Sequence, residues 1–161
     1  MATVFLILGG NLGDRIAYLD FAKKSIIENA GNILSQSSVY ETEPWGFEHE
    51  NQFLNQVISL ETILEPLTLL KKIKIIEKNL GRIKSKERYS ARVIDIDILF
   101  YDRLIINSLT LTIPHPEIPN RRFVLEPLAE LDADFVHPVL GLSVRTMLEN
   151  CLDTGQVKRL P

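Results

Sequence analysis

Asp95 and Asp97 are the side chains of this chain whose type and spacing speak most directly of chemistry. They stand in Val93-Ile94-Asp95-Ile96-Asp97-Ile98-Leu99-Phe100. In a strand successive side chains alternate, so this spacing puts both carboxylates on one face and Ile94, Ile96, Ile98 and Phe100 on the other. Two rises of about 3.3 Å separate the acids by about 7 Å on a rigid element. Such a pair must be solvated, protonated or neutralised. Hard oxygen ligands suit Mg²⁺, which keeps several waters and takes further oxygens from phosphate, and a pair of such ions is the usual clamp on a phosphoryl group in transfer. No thiolate or paired histidine stands nearby, so the pattern is not that of zinc. Taken alone, Asp-x-Asp more readily describes an edge strand whose polar face meets water.

The segment before the acids changes that balance. Arg82, Lys84, Lys86, Arg88 and Arg92 are opposed only by Glu87. Arginine forks grip phosphate oxygens in pairs and lysine acts as a point charge, so cations for a phosphate tail and carboxylates for its metal arrive within one stretch. The same run, 82–92, has no apolar period and is expected to act as a lid. Downstream, Pro114-His115-Pro116 restricts a histidine between two prolines, and Asn120-Arg121-Arg122-Phe123 adds two cations and an aromatic ring. His49, His137 and the single cysteine, Cys151, have no such context and read as structural. Gly9-Gly10-Asn11-Leu12-Gly13 is only weakly like a phosphate-binding turn, and neither a P-loop nor a dinucleotide fingerprint is present.

Composition bounds the classes. A chain of 161 residues with 45% hydrophobic and 24% charged residues forms one domain, 1–161, with a real core. A net charge of -3 argues against a general nucleic-acid binder, while a compact basic segment on an acidic chain points to a polyanion of nucleotide size. No apolar run reaches the ~20 residues of a spanning helix. The apolar start, 1–8, lacks a basic leader and reads as a first strand. A cytoplasmic monomer with small-molecule partners, and no nucleic-acid or membrane partner, is expected.

The elements that must position these residues follow from periodicity. After the strand 1–8 and a turn at 9–13, residues 14–30 predict a helix with Ile16, Leu19, Ala22, Ile26 and Ala30 on one stripe and Gly31 as its C-terminal cap. Residues 32–41 and 53–62 read as strands around a loop at 42–52, long enough to move. Pro66 and Gly81 bracket a helix with Leu69, Ile73, Ile76 and Leu80 buried and Glu77 at the stripe's edge, either a solvated charge or a contact to a ligand or partner. A strand at 92–101, strand-like pieces at 104–106 and 109–112, a proline-rich loop at 114–119 and helical segments near 123–131 and 144–152 complete the chain. Consecutive strands among alternating helices indicate an α+β layered fold with a mostly antiparallel sheet flanked by helices.

Taken together, Gly9-Gly10-Asn11, Tyr40-Glu41-Thr42-Glu43-Pro44-Trp45-Gly46, Phe53-Leu54-Asn55, Gly81-Arg82, Arg88-x-x-x-Arg92-x-x-Asp95-x-Asp97 and Pro114-His115-x(4)-Asn120-Arg121-x-Phe123 resemble the 6-hydroxymethyl-7,8-dihydropterin pyrophosphokinases of folate biosynthesis. The resemblance runs in order over nearly the whole chain. It implies a ferredoxin-like core and transfer of the β,γ-diphosphoryl group of ATP to the pterin hydroxymethyl oxygen, with release of AMP. It implies that Asp95 and Asp97 bind two Mg²⁺ ions, that Arg82, Arg92, His115 and Arg121 hold the triphosphate, and that Arg82 and Arg92 share the catalytic role of the acids. Glu77, Lys84, Tyr89, Ile98 and Thr112 are likewise assigned by it to the ATP side. The pterin would lie between Phe53 and Phe123, with Asn55 and the segment Thr42, Glu43, Pro44 and Trp45 along its polar edge. Gly10, Phe53, Tyr89 and Ser90 depart from the residues most frequent in the family, which bears on loop packing and ring stacking and not on the acid pair.

Other classes share parts of this pattern. Asp-x-Asp on a strand of such a domain also serves nucleotidyl transfer and metal-dependent nucleases, and the same fold can act as a binding module without turnover. No Ser-His-Asp or Cys-His set is apparent, and phosphoryl-type transfer needs alignment and charge stabilisation more than a covalent nucleophile.

Overall fold

The computed structural model describes residues 1–42, 52–81 and 93–161. Eight strands and four helices follow one another as β1 (Ala2–Gly10), α1 (Arg15–Asn29), β2 (Asn32–Gln36), β3 (Tyr40–Thr42), β4 (Phe53–Thr62), α2 (Pro66–Leu80), β5 (Asp95–Tyr101), β6 (Ile106–Asn107), β7 (Thr112–Ile113), α3 (Arg122–Asp132), α4 (Val144–Asn150) and β8 (Val157–Arg159) among the described residues. The main sheet runs β5-β1-β4-β3-β8 with β2 also on β4, and every pairing is antiparallel. The path β1-α1-β2-β4-α2-β5 is the βαββαβ order of a ferredoxin-like core, as expected.

Two apolar layers cover the sheet. Leu19, Ala22 and Ile26 of α1 and Leu69, Ile73 and Ile76 of α2 close on Leu6, Leu8, Ile58, Leu60, Ile96 and Ile98. On the opposite face Val124, Leu125 and Leu128 of α3 and Val144 and Met147 of α4 close on Phe5, Ile7, Val57 and Phe100. Each fully buried side chain of this kind contributes about 1.5–3 kcal/mol, so the central strands are rigid platforms. Asp14 caps α1 through the Ala17 N–H at 3.1 Å, and Ser143 caps α4 through the Thr146 N–H at 3.1 Å.

Several expectations are corrected. Gly9 and Gly10 belong to β1 and not to a turn. Ile16, in the first turn of α1, is 47% exposed and lies outside the buried stripe. Gly31 is no left-handed cap: a Cβ there would meet the Glu61 carbonyl oxygen at 2.2 Å, so close approach of chain to chain is what requires glycine. The single strand read at 32–41 breaks at Ser37, whose hydroxyl accepts the Val57 N–H at 3.0 Å and stands in for the ladder. Phe100 lies not with Ile96 and Ile98 but in the layer under α3 and α4. In the register Phe5 faces Phe100 while Leu6 faces Ile98, so Leu99 is an extra residue that reverses the phase of the strand. Strand β8, which has little apolar pattern, was not foreseen and joins the sheet through β3.

Candidate active site

β5 is an edge strand, and the site is built around it. Asp95 and Asp97 alternate with Ile96 and Ile98, as their spacing required: the isoleucines sink into the layer beneath α1 and α2, while the acids stay partly exposed. Asp95 pairs in register with Gly9, and Gly9 pairs with Asn55 on its other side. Residues paired across a sheet project to the same face, so the row Asp95, Gly9, Asn55 has a bare centre. The bareness is needed: a Cβ on Gly9 would sit 2.5 Å from Asn55 Oδ1. Asn55 is buried and donates from Nδ2 to Thr42 Oγ1 at 3.0 Å. Thr42 pairs with Phe53, which brings three of the residues assigned to the aromatic substrate to one corner.

That corner is anchored from outside. Tyr40 Oη donates to Glu130 Oε1 at 2.7 Å and the Ser38 N–H donates to Glu130 Oε2 at 2.8 Å, tying β3 to α3. Arg15 Nη1 bridges Glu41 Oε2 at 3.0 Å and the Gln52 carbonyl at 2.8 Å, so one guanidinium holds residues on either side of 43–51. Phe123, in the first turn of α3, carries the Arg121 guanidinium 5.7 Å from its ring centre. Arg122, its neighbour, is structural: its backbone N–H and Nε bond to Asp153 at 3.1 and 3.0 Å.

At the outer edge of β5 lies a cavity of about 210 Å³ lined by residues of α2, β5, β7 and the loop after β7, among them Lys74, Asp97, Ile98, Thr112 and His115. Four of these were expected from the sequence; Lys74 was not. Leu70, Lys74 and Glu77 are spaced i, i+4, i+7 on α2, a helical face whose lower members could have been read from Glu77 alone. The loop carrying His115 follows a cis Ile113-Pro114 bond. It is fixed by the His115 N–H, which donates to the Leu99 carbonyl at 3.0 Å. His115 Nδ1 accepts the Glu117 N–H at 3.1 Å, which leaves the ring proton on Nε2.

The electrostatics are those of crowded acids with cations around them. Burial and then the Asp95 charge hold the Asp97 carboxyl above its ordinary value, against the pull of His115, Lys74 and Arg121. Glu77 Oε2 accepts the Ile96 N–H at 2.9 Å, and Oε1 meets Lys74 Nζ at 3.1 Å. Even so, burial, and behind it the charge of Asp95 and a hydrogen bond shared with its carboxyl, push Glu77 up to about 7. Burial likewise lowers His115, which favours the neutral ring. His137, expected to be structural, is buried, and its Nδ1 accepts the N–H groups of Val139 at 3.2 Å and Leu140 at 3.1 Å.

The donor set suits a hard divalent cation. Two carboxylates on one rigid strand, one of them kept high by burial and by its neighbour, leave negative charge that oxygen-seeking Mg²⁺ would relieve, and Mg²⁺ needs only one or two protein carboxylates. No group of three His, Cys, Asp or Glu converges as a ligand set among the described residues. Arg82, Lys84, Tyr89 and Arg92, and on the pterin side Glu43, Pro44 and Trp45, lie outside the described residues, as do most of the two expected lids at 42–52 and 82–92.

Comparison with known proteins gives the family of the chain. The chain is 44% identical over 139 residues to the 2-amino-4-hydroxy-6-hydroxymethyldihydropteridine pyrophosphokinase of Aquifex aeolicus, covering 86% of each chain. It is 44% identical over 151 residues to the folic acid synthesis protein fol1 of Pneumocystis carinii, covering 93% of this chain but only 20% of that relative's length. The crystal structure of Plasmodium falciparum HPPK-DHPS wild type with SDX-DHP shares the fold, with a TM-score of 0.74 at 18% identity over 93% of this chain and 43% of that one. With residues 5–133 matching the family description 7,8-dihydro-6-hydroxymethylpterin-pyrophosphokinase (HPPK), the chain belongs to that family.

Proposed function

We propose that this chain transfers the diphosphoryl group of ATP to the hydroxymethyl group of 6-hydroxymethyl-7,8-dihydropterin and releases AMP, the pyrophosphokinase step of folate biosynthesis. One observation carries the reading. Strand β5 borders a cavity with Asp97, Ile98, Thr112 and His115 at the sheet edge, and on the sheet its Asp95 stands in one row with Gly9 and Asn55. A nucleotide in the cavity and a flat bicyclic ring over that row would meet at the acids.

Asp95 and Asp97 would hold two Mg²⁺ ions there. When bound, these neutralise phosphate charge that builds up in transfer. The chain's own residues supply the rest. His115 offers an Nε2–H donor to a phosphate oxygen, and Arg121, poised beside Phe123, adds positive charge facing Asp97. Arg82, Lys84, Tyr89 and Arg92 complete the ATP side, with Glu77 framing it. Phe53 and Phe123 sandwich the pterin, whose polar edge is read by Asn55, Thr42, Glu43, Pro44 and Trp45. The Asn55–Thr42 hydrogen bond orients the amide before substrate arrives, which lowers the ordering cost of binding. The reading includes a single-domain monomer acting on small molecules in the cytoplasm, without nucleic-acid or membrane partners.

The test is product identity. Protein incubated with ATP, Mg²⁺ and the dihydropterin should form AMP and a diphosphorylated pterin in equal amounts, and chelation of the metal should stop it. Formation of ADP or pyrophosphate would assign another transferase, and binding without turnover would assign a ligand-binding module.

A further inference from the structure

Lys74 stands out because nothing in the reaction so far uses it. Its Nζ lies 3.1 Å from Glu77 Oε1, and its side chain lines the same cavity as Asp97. Glu77 is thereby engaged on both oxygens, by Lys74 on one and by the Ile96 N–H at 2.9 Å on the other. A third carboxylate thus sits beside the acid pair, sharing a hydrogen bond with Asp95, while no three-ligand cluster forms among the described residues. Lys74 also acts on the pair directly: against burial, Glu77 and behind it Asp97 and Asp95 hold its ammonium up, and its charge in return opposes the burial and the Asp95 charge that raise Asp97.

We infer that Lys74 is a resident counter-ion and a positioning residue, which keeps Glu77 out of the metal ligand set and weakens capture of a divalent cation by Asp95 and Asp97 before nucleotide arrives. This rests on the proposed metal role of the two acids. A cation and an incoming divalent ion repel, so any positive charge facing the pair lowers its affinity for metal. The triphosphate brings charge of the opposite sign and removes that penalty, so metal and nucleotide enter together. The side chain of Lys74 is 61% exposed, so solvent screens the effect and it is modest.

The experiment measures Mn²⁺ binding to nucleotide-free protein by calorimetry or electron spin resonance. Lys74→Met should bind Mn²⁺ roughly three- to tenfold more tightly than the parent, with the difference shrinking as salt rises, and Lys74→Arg should bind like the parent. A merely structural role predicts neither the gain, nor the salt dependence, nor the rescue by arginine. Lys74→Gln, with closer polar character, serves if the methionine variant fails to fold by circular dichroism. Equal or weaker Mn²⁺ binding in the folded Lys74 variants, with parent binding still abolished by Asp97→Asn, overturns this inference and leaves the metal reading standing. Absence of any Asp97-dependent Mn²⁺ binding overturns both. AMP formation in the product assay judges the proposed reaction independently.

Discussion

The carbonyl oxygen of Leu99 accepts the backbone N–H of His115 at 3.0 Å, and Leu99 is the residue that has no partner in the register between β5 and β1. A bulge leaves its extra residue outside the ladder, and here the bulged carbonyl holds the histidine loop against the strand that carries the acids. The histidine loop and the acid strand, the two halves of the proposed nucleotide side, are thus fastened through one backbone hydrogen bond and not through side-chain packing alone.

His115→Ala should therefore weaken nucleotide binding without loosening the loop, because the fastening N–H belongs to the backbone. Loss of one donor to a charged oxygen costs about 1.5–3 kcal/mol, or roughly ten- to hundredfold in affinity. Calorimetry with a non-hydrolysable ATP analogue should show that loss, while pterin affinity and the melting temperature stay near those of the parent. Equal losses for both ligands would mean that the ring, and not the backbone, holds the loop.

How far the site could be read from the sequence follows from the kind of signal each part leaves. The acid pair was legible because alternation in a strand is strict, and the apolar residues between the acids sink as alternation demands. Phe100 was not, because a bulge arises from pairing with Phe5 and Leu6, far away in sequence, and adds no mark of its own. The βαββαβ core was legible from Leu19, Ala22, Ile26, Leu69, Ile73 and Ile76, all buried at helical spacing. Strand β8 left no such pattern, since Lys158 and Arg159 face solvent and only its ladder to β3 makes it a strand. Lys74 escaped notice for a related reason: a lysine on an exposed helix position is ordinary until Asp97 is found across the cavity from it.

Gly9→Ala is expected to act on the pterin side. Its methyl group would meet Asn55 Oδ1 at 2.5 Å, so the amide must swing away and lose its hydrogen bond to Thr42. Overpacking of this kind costs about 1–3 kcal/mol, and the bare floor between Asp95 and Asn55 is filled as well. Denaturant unfolding should register the loss of stability. Pterin KM should rise more than ATP KM, and addition of Gly9→Ala to Asn55→Ala should do much less harm than it does alone. Full additivity in that cycle would show that the methyl group acts elsewhere.

Asp97→Asn should trade function for stability. The carboxylate is half-buried, and its desolvation together with the Asp95 charge holds its proton affinity high and makes its charge a burden on the metal-free fold. Replacing it by an isosteric amide should raise the melting temperature of metal-free protein while turnover falls on the order of 10²-fold or more. Pterin affinity should change little. A variant that loses stability would place Asp97 in a favourable ion pair and not in a repulsive one.

Glu77 gives the pH dependence of the same strain. Its carboxyl is raised from 4.5 to about 7 in the fold, so between those values the folded chain binds a proton that the unfolded chain has released. By linkage that contribution to stability is fully present below the unfolded value and is lost as pH rises through about 7. For metal-free protein, the urea midpoint of the parent should therefore fall between pH 4.5 and about 7 relative to that of Glu77→Gln, which cannot release the proton. The difference is bounded at about 3 kcal/mol by the size of the shift. In Lys74→Met, where Glu77 loses its cation and keeps its proton to higher pH, the fall should extend upward in pH. Parallel pH profiles for parent and Glu77→Gln would show that Glu77 ionises as freely in the fold as in the open chain, and that the Ile96 N–H and Lys74 together offset its burial and the Asp95 charge.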